Sequence, residues 1–223
     1  MARNLRKFAT LAAYQAAELI KPAVSLIEAT DGVYFDQKEP PFGGLTVKYD
    51  IQDPTVEVSL FNGGGDSSSE SGGGGALPAT MIVDGVSETP INTWRFETAG
   101  EHIVQYTFED NVVPQDFIKE LSTVKEVVVG NNITSIGGEA ILGCASLTSA
   151  TIGSGVTAIT NGVFYNCTAL TSVTVNATTP PTFSNMAFDN TNNCPIYVPA
   201  ESVNTYKAAT NWSTYASRIQ AIQ

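Results

Sequence analysis

Histidine occurs once in this chain, at His102, and cysteine three times, at Cys144, Cys167 and Cys194. Most zinc chemistry needs more such ligands at set spacings, and a disulfide-dense scaffold needs more cysteine, so both are excluded. No run reaches the roughly 18 apolar residues of a membrane helix. Lys and Arg number 11 against 22 Asp and Glu, a formal net charge of −11 that disfavours a surface built to track nucleic-acid phosphates. Catalytic signatures are missing as well. The glycine runs 63–65 and 72–75 lead to no Lys-Ser/Thr pair, against a P-loop, and Ile152-Gly153-Ser154-Gly155 lacks the spacing of a nucleophile elbow. His102 stands in an alternating run without a fixed-spacing partner and reads as a satisfied or solvated sheet residue. Asp50, Asp53 and Glu57 lack the glycine and terminal glutamate of a calcium loop. The composition points away from an enzyme and implies no cofactor and no metal.

What charge there is lies unevenly. Residues 1–40 carry five basic and five acidic side chains, residues 41–126 four and fourteen, and residues 127–223 only two and three. The chain opens with a basic Met1–Lys7, but Tyr14, Gln15 and Glu18 interrupt the apolar stretch after it, so no secretion signal is expected.

The expected fold is mainly β with short helices. Residues 8–20 read as an Ala-rich helix that Pro22 ends. VSLI (24–27) and VYF (33–35) read as strands about an Asp31-Gly32 turn, and 45–51 alternates with Leu45, Val47, Tyr49 and Ile51 on one face. A second alternating run, 55–60, sets Val56, Val58 and Leu60 together. Residues 62–75 then hold seven glycines, four serines and no apolar side chain, the composition of a flexible linker with a reach of roughly 20 Å. The expected organisation is therefore an N-terminal anchoring and oligomerisation segment (1–61), a Gly/Ser linker and domain boundary (62–76), a small β module (77–112) and a repeat region (113–223). In the module, 81–86, 92–98 and 101–110 alternate as three strands, with a hairpin tip at Thr98–Glu101.

The strongest signal is a repeat. VKEVVVGNNITSIGGEAILGCAS (124–146), LTSATIGSGVTAITNGVFYNCTA (147–169) and LTSVTVNATTPPTFSNMAFDNTNN (170–193) align with one extra residue in the third. Val124, Leu147 and Leu170 share a position, as do Val127, Ala150 and Val173, then Val129, Ile152 and Val175. Ile136 falls on Ile159, Ile141 on Phe164 and, shifted by one, Phe188, and Cys144 on Cys167. A 23-residue period headed by L-x-x-V-x-I marks a leucine-rich-repeat solenoid, each repeat giving one strand to a shared apolar ladder. The cysteines read as stacked small core residues. Beyond the third repeat, PIYVP is a strand, and helical turns near 201–207 and 213–219 form a cap with Trp212 and Ile219 over the open end. Residues 147–193 contain eleven threonines, an uncharged hydroxyl-rich surface suited to glycans or protein loops, although threonine also simply suits strands.

These residues carry a resemblance. LTSVTI-like heads with V-T-x-I, F and C behind them, followed by ATTPPTF and IYVPAESVNTYKAATNWSTYASRIQAI, resemble the BspA-like leucine-rich repeat family of gut Bacteroides-type bacteria and their phages, over roughly 113–223. The stretch MIVDGVSETPINTWRFETAGEHIVQYTFED is similar to the β module that often precedes such repeats, while VVPQDFIKEL (112–121) is a degenerate half-repeat. The resemblance implies adhesion and no catalytic residues.

MARNLRKFATLAAYQAAELIKPAVSLIEATDGVYFD (1–36) is similar to the opening of structural proteins from phages of the same bacteria, crAss-like phages included. This implies a virion protein made in the host cytoplasm and mounted on the particle, with a head fibre as the leading expectation and a tail fibre or appendage as the alternative. A bacterial cell-surface adhesin is the other alternative, but it needs a signal or a lipidation cysteine, and cysteine does not occur before position 144. The expected capsid-docking side chains are Arg3, Arg6, Lys7, Phe8, Leu11, Tyr14, Leu19, Val24 and Ile27, since a short Ala-rich helix is marginal alone in water. The expected partners are capsid or other virion proteins, a second and third copy of the chain (a trimer, with a dimer next) through residues 20–61, and a host surface glycan or protein. Nucleic acid and membrane insertion are not expected.

Overall fold

Apolar alternation places most of the chain in strands, and the computed structural model describes residues 43–62, 77–184 and 186–223. The Ala-rich helix, the strands at 24–35 and the nine docking side chains lie outside the described residues. The first described strand is β1 (Leu45–Ile51), followed by the short β2 (Val58–Ser59). Beyond the Gly/Ser stretch come β3 (Thr80–Val83), β4 (Val86–Glu88), β5 (Thr93–Trp94) and β6 (Gly100–Thr107). The run 81–86, expected as one strand, is a hairpin. Asp84 and Gly85 take φ of 48° and 81° in a two-residue turn that pairs Val83 with Val86. The run 55–60 also differs from expectation, because Asp53 Oδ1 accepts from both the amide and the hydroxyl of Thr55 and closes a turn there. Val56 is therefore exposed while Leu60 is buried. Of 92–98 only β5 is a strand, and it pairs with β2 outside the main sheet, so Thr98–Glu101 is not a hairpin tip.

The repeats follow as β7 (Val112–Val113), β8 (Val124–Val129), β9 (Ser135–Ile136), β10 (Ser149–Ile152), β11 (Ala158–Ile159), β12 (Ser172–Val175), β13 (Thr182–Phe183), β14 (Ile196–Val198) and β15 (Ile219–Ala221). Strands β8, β10, β12, β14 and β15 form a parallel ladder, with Val127, Ala150, Val173, Ile196 and Ile219 in register. A second parallel ladder, β7-β9-β11-β13, runs along another side of the coil. Inward residues of both ladders share one core. The expected alignment holds, with Phe164 stacked on Phe188 at 5.5 Å and Ile136 opposite Ile159. The half-repeat at 112–121 is a working part of the coil: Val113 pairs with Ile136, and Phe117 and Ile118 are fully buried.

The cap holds one α-helix, α1 (Val203–Ala208), and a 3-10 turn at Trp212–Tyr215. Ile219, expected in a second helical turn, instead lies in β15 opposite Ile196. The cap is fastened to carbonyls that the last coil leaves free. Trp212 Nε1 donates to Pro181 O at 2.8 Å, Tyr206 Oη to Ala177 O at 2.7 Å and Ser202 Oγ to Thr178 O at 2.7 Å.

The expected domain boundary at 62–76 is corrected by the sheet. Its nine strands run β15-β14-β12-β10-β8-β1-β6-β3-β4, so β1 lies between the β module and the solenoid. It pairs antiparallel with β6 on one side and β8 on the other. The described residues on both sides of that stretch belong to one compact unit. The physical reason is the edge of β8: without β1 the solenoid would present an unpaired strand edge over an open apolar core. Residues 60–62 add to the closure. Phe61 stacks on Phe117 at 5.1 Å, and the Asn62 side chain donates to Asp116 O and Lys119 O of the first coil.

Candidate functional site

Alternation along each parallel strand buries one row of side chains and presents the next. In β10 and β12 the buried residues are Ala150, Ile152, Val173 and Val175, and the outward ones are Ser149, Thr151, Ser172 and Thr174. Because the two strands pair without a shift, Ser149 faces Ser172 and Thr151 faces Thr174. Four hydroxyls therefore form a grid of about 4.8 by 6.8 Å. The Thr151 row continues through Val128 on one side and Tyr197 and Gln220 on the other, a span of roughly 19 Å without a charge.

The expected threonine-rich surface divides into two chemically different sets. Thr134, Thr148, Thr157, Thr171 and Thr182 each donate a hydroxyl hydrogen bond to a carbonyl of the preceding coil, at 2.8–3.3 Å, and Thr160 does the same to Ile136 O at 2.9 Å. These side chains fasten coil to coil, and their protons are not available to a ligand. Ser149, Thr151, Ser172 and Thr174 have no side-chain partner among the described residues and remain partly exposed. Only register separates the two sets.

Charge borders the grid on its β1 side. Lys48 Nζ lies 3.2 Å from Glu126 and 3.4 Å from Glu101. Burial works against the ammonium, but the two carboxylates outweigh it and hold the Lys48 pKa above the ordinary lysine range. Lys125 pairs with Asp50 at 3.5 Å, so the acidic middle of the chain is partly neutralised where it meets the repeats.

The other expected residues take structural places. Cys144 Sγ donates to Ile118 O and Cys167 Sγ to Ile141 O, and burial pushes both thiols up, Cys167 to about 12. His102 is buried in β6, with Nδ1 2.7 Å from Asp84 Oδ2, Nε2 3.0 Å from Thr98 O and its ring stacked on Phe96. Asp50, Asp53 and Glu57 do not converge: they hold Lys125, Thr55 and Thr93 respectively. Among the described residues no group of three or more His, Cys, Asp or Glu side chains could hold a metal ion. Tyr197 and Gln220 are outward residues that the sequence pattern did not single out. Their signal was present, since each stands 23 residues after its predecessor in the row, 151, 174, 197 and 220.

Comparison with known proteins agrees with this geometry. The model of the BspA type leucine-rich repeat region matches residues 90–215 in six copies, so the match begins in the loop between β4 and β5 rather than at residue 113. No curated protein matches the chain. With more than half of its length matched, the chain belongs to the BspA-type leucine-rich repeat family.

Proposed function

We propose that this protein is a phage virion component, a capsid-mounted head fibre whose repeats face outward and adhere to the host surface. The observation that carries the adhesive part is the grid of Ser149, Thr151, Ser172 and Thr174, four hydroxyls without a partner among the described residues, on an in-register sheet. Such a face hydrogen-bonds glycans or protein loops without the cost of desolvating charge. Its family membership supports a surface for adhesion or protein binding. The mounting rests on the likeness of residues 1–36 to phage structural proteins. The residues that precede β1 then supply the attachment, and self-association as a trimer raises the avidity of a single short repeat array.

Two measurements test this reading. Antibody labelling of intact particles by electron microscopy is expected to place the chain on the capsid, and label found on bacterial cells but never on particles would refute the mounting. Adsorption of the full chain to host cells is expected to change little with added salt, since the grid has few charges to screen, and to fall in a Thr151→Val, Thr174→Val double variant. Adsorption that weakens steeply with salt and ignores the double variant would move the contact to the acidic residues 41–126.

A further inference from the structure

The far end of the coil carries a different feature, a polar cleft of about 540 Å³ where the last repeat turn meets the cap. The cleft opens broadly to solvent, with Asn190, Asn193, Thr214 and Ser217 all exposed. Asp189, Asn190 and Asn193 line it from the turn, and Thr214, Tyr215 and Ser217 from the cap.

Asp189, Tyr215, Asn190 and Arg218 are held in place by side-chain hydrogen bonds. Tyr215 Oη donates to Asp189 Oδ1 at 2.5 Å, which leaves Oδ2 without a partner among the described residues. Asn190 Nδ2 donates to Asn166 Oδ1 at 2.9 Å, and Asn190, Asn192 and Asn193 take left-handed backbone with φ of 57°, 53° and 51°. Arg218, itself part of the lining, acts as a clamp. Its guanidinium donates to Cys194 O, Phe188 O, Thr191 Oγ1 and Cys194 Sγ, and it lies 5.3 Å from the centre of the Tyr215 ring. Burial, with Asp189 alongside, pushes the Tyr215 phenol up to about 12, so it stays a donor at neutral pH.

This inventory selects a ligand class. Four of the five guanidinium N–H groups are spent on the protein, so Arg218 cannot offer an anion the paired donors that a carboxylate or phosphate site needs. The lining carries one carboxylate, Asp189, beside that spent guanidinium, so its net charge offers an anion no attraction, while Asp189 Oδ2 is placed to accept from hydroxyls. The remaining lining offers amides and hydroxyls that donate and accept. We infer that this cleft binds a neutral saccharide unit, with Asp189 Oδ2 accepting from sugar hydroxyls and Asn190, Asn193, Thr214 and Ser217 completing the contacts. The site deepens the adhesion reading, on which its biological sense rests, and places a sugar contact at the cap, apart from the hydroxyl grid.

The test is an NMR titration of the full-length protein with galactose, mannose and N-acetylglucosamine, each at millimolar concentrations, and with glucuronate as an anionic control. The expected result is amide shift changes confined to residues 189–193 and 214–218 for at least one neutral sugar. Ser217→Trp, which fills the opening, should abolish them. Asp189→Ala should weaken binding about tenfold or more, the worth of a hydrogen bond to a charged acceptor. No shifts with any neutral sugar, shifts that survive both variants, or stronger binding of glucuronate would each overturn the assignment. Sugar binding is read without cells or particles, so its failure is distinct from failure of the virion reading.

Discussion

The hydroxyls of Tyr49 and Tyr106 lie 3.0 Å apart in the core, and both reach the carbonyl of Leu60, Tyr49 at 2.5 Å and Tyr106 at 3.4 Å. Tyr49 and Leu60 precede the Gly/Ser stretch and Tyr106 follows it, so this contact joins chain segments that composition alone assigns to different domains. It also leaves two phenols fully buried under the sheet.

Alkaline pH should therefore unfold the protein. Burial raises the Tyr49 and Tyr106 pKa values well above that of a free phenol, and burial with Asp189 raises Tyr215 to about 12. For groups raised in the folded state, the stabilisation is complete below the unfolded phenol pKa of about 10 and is lost as pH rises through the folded values. Urea unfolding measured across pH is expected to show constant stability up to about pH 10 and a steady fall above it. Tyr215→Phe should flatten part of that fall. Stability that stays level through about pH 12 would contradict the burial of these phenols.

Removing residues 1–76 should leave a chain that does not fold. The fragment 77–223 lacks β1, so β6 and β8 lose their shared partner and the apolar side chains Leu45, Val47, Tyr49 and Ile51 leave the core. Circular dichroism of the fragment is expected to lack native strand signal, and adding residues 1–62 in trans should restore it. Shortening the Gly/Ser stretch by a few residues should cost well under about 1 kcal/mol, because loop-closure entropy changes slowly with length. A fragment 77–223 with a cooperative thermal transition would refute the interleaved sheet.

Two columns of left-handed backbone run along the repeat turns. Asp116, Glu139, Gly162 and Met186 form one, with φ between 56° and 65°, and Glu120, Gly143, Asn166 and Asn190 the other, with φ between 57° and 71°. Stacking imposes this conformation whatever the residue type, and a side chain there carries about 1–2 kcal/mol of strain. Glu120→Gly and Met186→Gly are expected to stabilise by about 1 kcal/mol each in chemical denaturation, less the added entropy of the unfolded chain. Gly143→Ala should destabilise by at least about 1 kcal/mol, because its new Cβ would also meet Glu120 Cγ at 2.9 Å. Opposite signs in these variants would show that the turns relax.

The native thiols should be inert. Cys144 and Cys167 are fully buried, both have raised pKa values, and Cys194 is 3% exposed. A thiol reagent at neutral pH is expected to label none of the three until denaturant unfolds the chain, and then all three together. Stoichiometric labelling of the native protein would mean that the coil opens locally.

Much of this architecture is written in the chain order itself. The step of 23 residues through Val127, Ala150, Val173, Ile196 and Ile219 gives the number of parallel strands and their inward faces, because a side chain of the wrong character at any of these positions would break the ladder. The extra residue of the third repeat enters between Val175 and Phe183 and is compensated before Ile196, so it shifts the second ladder and not the first. The same step already pointed to β15, where helical propensity in 213–219 suggested a turn instead. Tertiary structure alone decided the neighbours of β1 and the fate of each threonine. Alternation in 45–51 announces a strand with one buried face, but nothing local names its partners, and the pairs Val47–Val104 and Val47–Val127 join residues far apart in the chain. Likewise Thr148 and Thr151 are the same residue three places apart. Stacking turns the first hydroxyl onto Lys125 O and leaves the second facing outward, because a hydrogen bond to the previous coil exists only once the coils are stacked.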